Sequence, residues 1–357
     1  MLKRALPLVL ACLAGPSFAY NSPEHKVFAS GAADAFCAGG APACAELRAN
    51  LPFLLYGSVR EDEAARGHEE VFNGVRFAEE EPGAYGPCRE YVVAGKSYMY
   101  CNHYFFVADY LAGGAEGSCG SRMTGATDNV CEGNKPFRWE SARQRGLRLW
   151  KEKVLPYYFS GAPEGKARAY YWLGRVAHLL ADVAVPAHVI PHRIGYVEFE
   201  HRVFEYEAGR ADNGPAAQEE LPADLDGLFT GLAVRTLAIH DESRAGECGR
   251  EPALAGCDRG RAAPTRPLQS RLAVKNLLLT DAIMKAKPDA LARPEIARER
   301  GLAAAQLRLI KPLAVAYTAR LLQLFAAQAA PATLELDLTG LRVAAPARTV
   351  NFDGALR

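Results

Sequence analysis

The sequence predicts an all-α protein: a single multi-helix domain that carries a disulfide-stapled loop region. Three observations predict it. Apolar residues recur at three- and four-residue spacing through most of the chain. Only Thr333–Leu338 alternates apolar with polar residues in the manner of a half-buried strand. The 357 residues are 49% hydrophobic and 23% charged, which suits a large packed core and excludes a disordered or fibrous chain.

Taken in order, Glu24–Phe36 sets Val27, Phe28, Ala32 and Phe36 at helical spacing. From about Phe77 to Pro136 the chain is rich in Gly and Cys, and a long stapled loop is expected there. Helical patterns resume over Ser141–Tyr158 and Lys166–Asp182, and Pro186 ends the second of these because it cannot donate a backbone bond. Further helices are expected over Phe199–Ala208, Leu225–His240, Leu268–Lys287 and Ile296–Ala329. Glu242–Pro267 is a polar connection. The apolar run Leu309–Ala327 is interrupted by Lys311, Pro312 and Arg320, so it reads as a buried amphipathic helix rather than a membrane span.

The N-terminus points to export. Lys3 and Arg4 precede an apolar run from Ala5 to Leu13, and Ser17-Phe18-Ala19 offers small residues to a signal peptidase. Residues 1–19 are read as a signal peptide, 20–330 as the functional domain and 331–357 as a tail without an assigned role. Leu10-Ala11-Cys12 offers a weaker lipoprotein signal, which would retain the protein at a membrane. Of nine cysteines, all but Cys12 remain after cleavage: Cys37, Cys44, Cys88, Cys101, Cys119, Cys131, Cys248 and Cys257. An even set in an exported chain suggests disulfides, and pairing of sequence neighbours is the simplest of about a hundred arrangements. With 42 basic against 41 acidic residues, the chain has no cationic field for coating nucleic acid, and no stable nucleic-acid partner is expected. Phosphate chemistry would need local cations, of which metal ions are the simplest source.

The histidines carry the chemistry. His178 and Asp182 lie four apart in one helix, so their side chains share a face. His188 follows Pro186, and His201 and Glu205 repeat the four-residue spacing on the next helix. Imidazole and carboxylate one turn apart can grip one ion. One such pair is weak; two pairs flanking Pro-x-His are hard to explain as packing. His68, His192 and His240 read as ordinary lone histidines.

The segment Tyr171-Trp-Leu-Gly-Arg-Val-Ala-His178-Leu-Leu-Ala-Asp182-Val-Ala-Val-Pro186-Ala-His188 resembles the signature of the zinc-dependent bacterial phospholipases C. That family shares an all-helical fold with the fungal and plant single-strand-specific nucleases. Its pattern H-x3-D-x5-H is satisfied, and His201-Arg-Val-Phe-Glu205 looks like its H-x3-E, where the nucleases usually carry H-x3-D. The resemblance implies further ligands: Asp62 in Gly57-Ser-Val-Arg-Glu-Asp62, and His103 in Asn102-His103-Tyr104-Phe105. It also implies Tyr20, through the mature N-terminal amine and carbonyl, with His25 five residues on. The intervening Cys88–Cys101 segment, and Tyr20 where the family usually has Trp, are departures from its pattern.

What the resemblance implies is a cluster of three zinc ions. Asp62, His103, His178 and Asp182 would hold one. Tyr20, His25 and a bridging Asp182 would hold the second, and His188, His201 and Glu205 the third. An activated water would attack phosphorus, with Asp62 as general base. The implied enzyme is a secreted, monomeric phospholipase C acting on phospholipid at a membrane surface. Tyr100, Glu24 and Glu63 stand where a head-group cage is expected, Glu63 in place of an aromatic residue. A nuclease of the same fold and a degenerate structural zinc protein are the alternatives.

Overall fold

The computed structural model describes residues 22–63, 69–78, 91–93, 96–98, 103–113, 140–190, 194–244, 287–330, 335–337 and 342–344. Within them the protein is helical, with one hydrophobic core running from Phe28 to Phe325. Helix α1 (Ser22–Ala38) buries Phe28, Ala32 and Phe36, while Val27 is exposed. The disulfide Cys37–Cys44 ties its end to the start of α2 (Cys44–Glu63) and is the sequence-neighbour pairing expected. Cys12, Cys88, Cys101, Cys119, Cys131, Cys248 and Cys257 lie outside the described residues.

Helix α2 has no counterpart in the sequence reading, because Pro52 and Gly57 interrupt its pattern. Gly57 instead serves packing. Two backbones meet where α2 crosses α6 (Gly165–Asp182): a Cβ on Gly57 would lie 1.9 Å from the Tyr171 carbonyl oxygen, and one on Gly174 would lie 2.1 Å from the Leu54 carbonyl oxygen. No side chain fits at either position. Helix α6 is accordingly the buried centre, with every residue from Ala169 to Asp182 buried.

Among the described residues there are three short antiparallel strand pairs. β1 (Glu69–Phe72) and β2 (Val75–Ala78) are joined by Asn73 and Gly74, both with positive φ, as a two-residue primed turn requires. Phe72 stacks on Tyr56 at 4.1 Å and Phe77 packs on Tyr171 at 4.5 Å, so this hairpin covers the α2–α6 crossing. β3 (Tyr91–Val93) pairs with β4 (Lys96–Tyr98), and α3 spans Val107–Leu111. The expected loop over Phe77–Pro136 thus contains the ordered elements β3, β4 and α3. β5 (Glu335–Asp337) falls within the predicted Thr333–Leu338 strand and pairs with β6 (Arg342–Ala344).

Helix α4 (Ala142–Leu149) starts at a capping box, with Ser141 and Gln144 each accepting from the other's backbone N–H at 3.1 Å. It runs through a π-helical turn, Trp150–Val154, into α5 (Leu155–Phe159). Pro156, with no N–H to donate, follows that widened turn. After α6 come the short α7 (Pro186–Val189), α8 (Ile194–Ala208), α9 (Leu225–Arg244), α10 (Pro288–Leu291) and α11 (Pro294–Ala329). Among the described residues α11 alone is long and apolar enough to cross a membrane. Its apolar window is 67% buried against the other helices, in keeping with the buried amphipathic helix expected. All of the helix expected over Leu268–Lys287 except Lys287 lies outside the described residues.

Candidate metal centre

Elements far apart in sequence converge at the C-terminal end of α6. His25 comes from the first turn of α1, Asp62 from the last turn of α2, and His178 and Asp182 from α6. His103 precedes α3, His188 lies on α7, and His201 and Glu205 lie on α8. None of these eight is more than 6% exposed. They are all the expected metal ligands except Tyr20, which lies outside the described residues.

Backbone groups orient the rings. The carbonyl of Ser58 accepts the Nδ1–H of His178 at 2.6 Å, and that of His103 accepts the Nδ1–H of His188 at 2.7 Å. A carbonyl can only accept, so Nδ1 carries the proton in both and Nε2 is turned inwards. Tyr104 stacks on His188 at 4.2 Å, and the Phe105 N–H donates to the His188 carbonyl at 2.9 Å, which fixes α7 against the segment carrying His103.

The inward atoms fall into two groups. In the first, His178 Nε2 lies 3.2 Å from His103 Nδ1, 3.3 Å from Asp182 Oδ2 and 3.4 Å from Asp62 Oδ1. His103 Nδ1 is 2.5 Å from Asp182 Oδ2. The other Asp182 oxygen, Oδ1, is 3.7 Å from His25 Nε2, so this carboxylate stands between His25 and the His103–His178 pair. Donor atoms of His103, His178 and Asp182 lie within 4.8 Å of one another, as do those of His25, Asp62 and His178. In the second group His188 Nε2 is 3.3 Å from His201 Nε2, which is 3.2 Å from Glu205 Oε1.

These contacts fit a metal ion better than they fit the protein alone. Asp62 Oδ2, both Asp182 oxygens, His103 Nε2 and Glu205 Oε1 are buried without a hydrogen-bond partner. Leaving such groups unsatisfied is costly. Asp182 Oδ2 lies close to the His103 and His178 nitrogens yet is satisfied by neither. Two imidazole nitrogens facing each other repel unless a proton or a cation lies between. Nitrogen donors on a tetrahedral zinc-sized ion stand about 3.3 Å apart, the spacing found in both groups. The buried His and Asp groups therefore form a candidate metal site.

Electrostatics in the protein alone agree. Burial holds the His25 and His188 pKa values well below the ordinary imidazole range. Burial also opposes charge on His178, but the carboxylates of Asp62 and Asp182 outweigh it and drive that pKa well above the ordinary value. The same two carboxylates that favour a proton at His178 Nε2 favour any cation in that position. At Asp182 burial is overcome by His103 and His178, and the pKa falls well below the carboxylate range; at Asp62 burial prevails and raises it.

Of the expected cage residues, Glu24 is described: it is half-buried on α1, its Oε1 facing Gly209 at the end of α8, and burial raises its pKa. The Glu63 side chain and Tyr100 lie outside the described residues. His240, read as a lone histidine, sits apart from the metal groups, its Nε2 on Glu200 Oε1 at 2.8 Å. Sequence reasoning did not anticipate Ser58, which holds His178, Arg202, which binds Glu205 three residues on, or the neighbouring Glu61–Arg145–Arg175 cluster. The Ser58 and Glu61 contacts join residues far apart in sequence and leave no local pattern, whereas the i,i+3 spacing of Arg202 and Glu205 was there to be read. No protein-family model, curated protein or solved structure matches the chain.

Proposed function

We propose that this protein is an exported zinc-dependent phosphodiester hydrolase of the phospholipase C type, releasing phosphorylated head group and diacylglycerol from phospholipid. The observation that carries the reading is the convergence of buried, inward-turned imidazole and carboxylate atoms in two groups joined through the α6–α7 segment. The mixed N/O donor set suits zinc. Asp62, His103, His178 and Asp182 would hold one ion and His188, His201 and Glu205 another. Tyr20 with His25 and Asp182 would hold a third. Zinc bound there supplies Lewis acidity, which lowers the pKa of a water and stabilises charge growing on phosphate.

The chain's own groups supply the rest. Asp62 Oδ2, buried and unengaged, is placed to accept a proton from an attacking water. The Ser58 and His103 carbonyls hold the rings so that no reorganisation accompanies reaction. Glu205, rather than aspartate, at the last ligand position supports the phospholipase branch over the nuclease one. The Cys37–Cys44 disulfide suits an exported chain.

The test is head-group release from phosphatidylcholine vesicles by protein beginning at Tyr20, with and without chelator, beside a single-stranded DNA digest. Chelator-sensitive lipid cleavage with intact DNA is expected. Cut DNA with intact lipid would move the protein to the nuclease branch. Bound zinc with neither activity would leave a structural metal protein.

A further inference from the structure

Between His201 and Glu205 on α8 sits Arg202, itself only 8% exposed. Its Nη1 donates to Glu205 Oε2 at 2.9 Å. The other oxygen, Oε1, faces His201 Nε2 at 3.2 Å and has no hydrogen-bond partner. The two oxygens of one carboxylate are thus divided, one bound to a guanidinium and one presented to the metal group. No described contact gives Asp62 or Asp182 an arginine; their oxygens face histidines.

The division matters because a glutamate side chain has three torsions to fix, and an ion gains little from a ligand that must first be ordered. We infer that Arg202 is a positioning residue that holds Glu205 as a one-oxygen ligand for the ion of the His188–His201–Glu205 group. The inference rests on the proposal that these residues hold an ion.

A separate network anchors the helix behind this contact. Glu200 Oε1 accepts from His240 at 2.8 Å and from Arg244 Nη2 at 2.8 Å, and Arg244 also pairs with Glu299 on α11. Helix α8 is therefore tied to α9 and α11 through Glu200, a link separate from the Arg202–Glu205 contact.

The experiment counts zinc per chain by elemental analysis along a chelator titration, for wild type and for Arg202→Ala, Arg202→Lys and Glu205→Gln. The Glu205→Gln variant marks the release step that belongs to this group. Arg202→Ala is expected to release that same ion at about 10–100-fold lower chelator activity, as loss of an outer-sphere partner does. The remaining zinc should leave as in wild type, and Arg202→Lys should restore most of the loss. Unchanged release in Arg202→Ala would overturn the inference. So would simultaneous loss of all zinc, or failure of lysine to rescue while the helical circular dichroism is intact. A wild-type chain that retains no zinc would overturn the metal reading itself, and that outcome is distinct from the others.

Discussion

Glu61 and Asp62 are neighbours in the last turn of α2, both essentially fully buried, yet they enter clusters of opposite kind. Glu61 meets cations of the protein's own. Its Oε1 takes Arg145 Nε at 2.6 Å, and its Oε2 takes Arg175 Nε at 2.5 Å and Arg145 Nη2 at 3.3 Å. Asp62 Oδ1 meets His178, and its Oδ2 is left buried without a hydrogen bond. Helix α6 supplies both settings, since Arg175 and His178 are three residues apart. One cluster is electrically closed by arginine; the other has carboxylates and inward-facing imidazoles that a divalent ion would complete. The pKa directions report the same difference. Burial would raise Glu61, but Arg145 and Arg175 pull it down to about 2, whereas burial prevails at Asp62. A closed cluster contributes to the fold, and an open one is available for chemistry.

The largest expected effect breaks the comparison at Asp62. Asp62→Asn should lower hydrolysis by about 10²–10⁴-fold, as loss of a general base does, while chelated protein unfolds at the same urea concentration as chelated wild type. A matching drop in urea midpoint would make Asp62 a structural residue like its neighbour.

Glu61→Gln should behave in the opposite way. It takes the shared carboxylate from two buried guanidinium groups, and a loss of about 3–5 kcal/mol is expected with or without metal. Calorimetry of the chelated protein checks this. The same carboxylate predicts an acid limb. Its folded pKa lies below the ordinary value of 4.5, so its stabilisation is complete above that value. It is lost as pH falls towards about 2, and about 3 kcal/mol is involved. Unfolding measured between these pH values should steepen in wild type and flatten in Glu61→Gln.

Gly174→Ala strikes the frame common to both clusters, because its methyl would meet the Leu54 carbonyl. A cost of about 3 kcal/mol is expected, at the upper end for overpacking, together with weaker zinc retention. If stability falls and zinc retention does not, the two clusters are less coupled than their shared helices suggest. The smallest effect is the stabilisation that each zinc ion of the proposed centre would confer. At a hundredfold excess over its dissociation constant this is about 2.7 kcal/mol per ion, read as a chelator-reversible shift in melting temperature.

Much of this was legible in the sequence, for identifiable reasons. The pairs His178–Asp182 and His201–Glu205 could be read because helical spacing places such residues on one face, and the structure keeps them 3.3 and 3.2 Å apart. Pro186 ended the preceding helix as expected and begins α7 itself. Asn73–Gly74 is a two-residue hairpin signal in the sequence, and both residues take the positive φ that such a turn requires. Helix α2 was missed because propensity counts Gly57 and Pro52 against it, whereas the crossing with α6 requires a glycine there.

The sequence by itself determined most of the helices and the ligand pairs His178–Asp182 and His201–Glu205 within them, since each depends on residues within a few turns of one another. Tertiary structure alone decided that the Ser58 carbonyl turns His178 inwards, that Asp182 stands between His25 and His103, and that Arg145 and Arg175 close on Glu61. These contacts join residues up to 157 positions apart. Those between α2 and α6, Ser58 with His178 and Glu61 with Arg175, depend on how closely the two helices approach, a distance set by backbone sterics at Gly57 and Gly174 rather than by any local pattern.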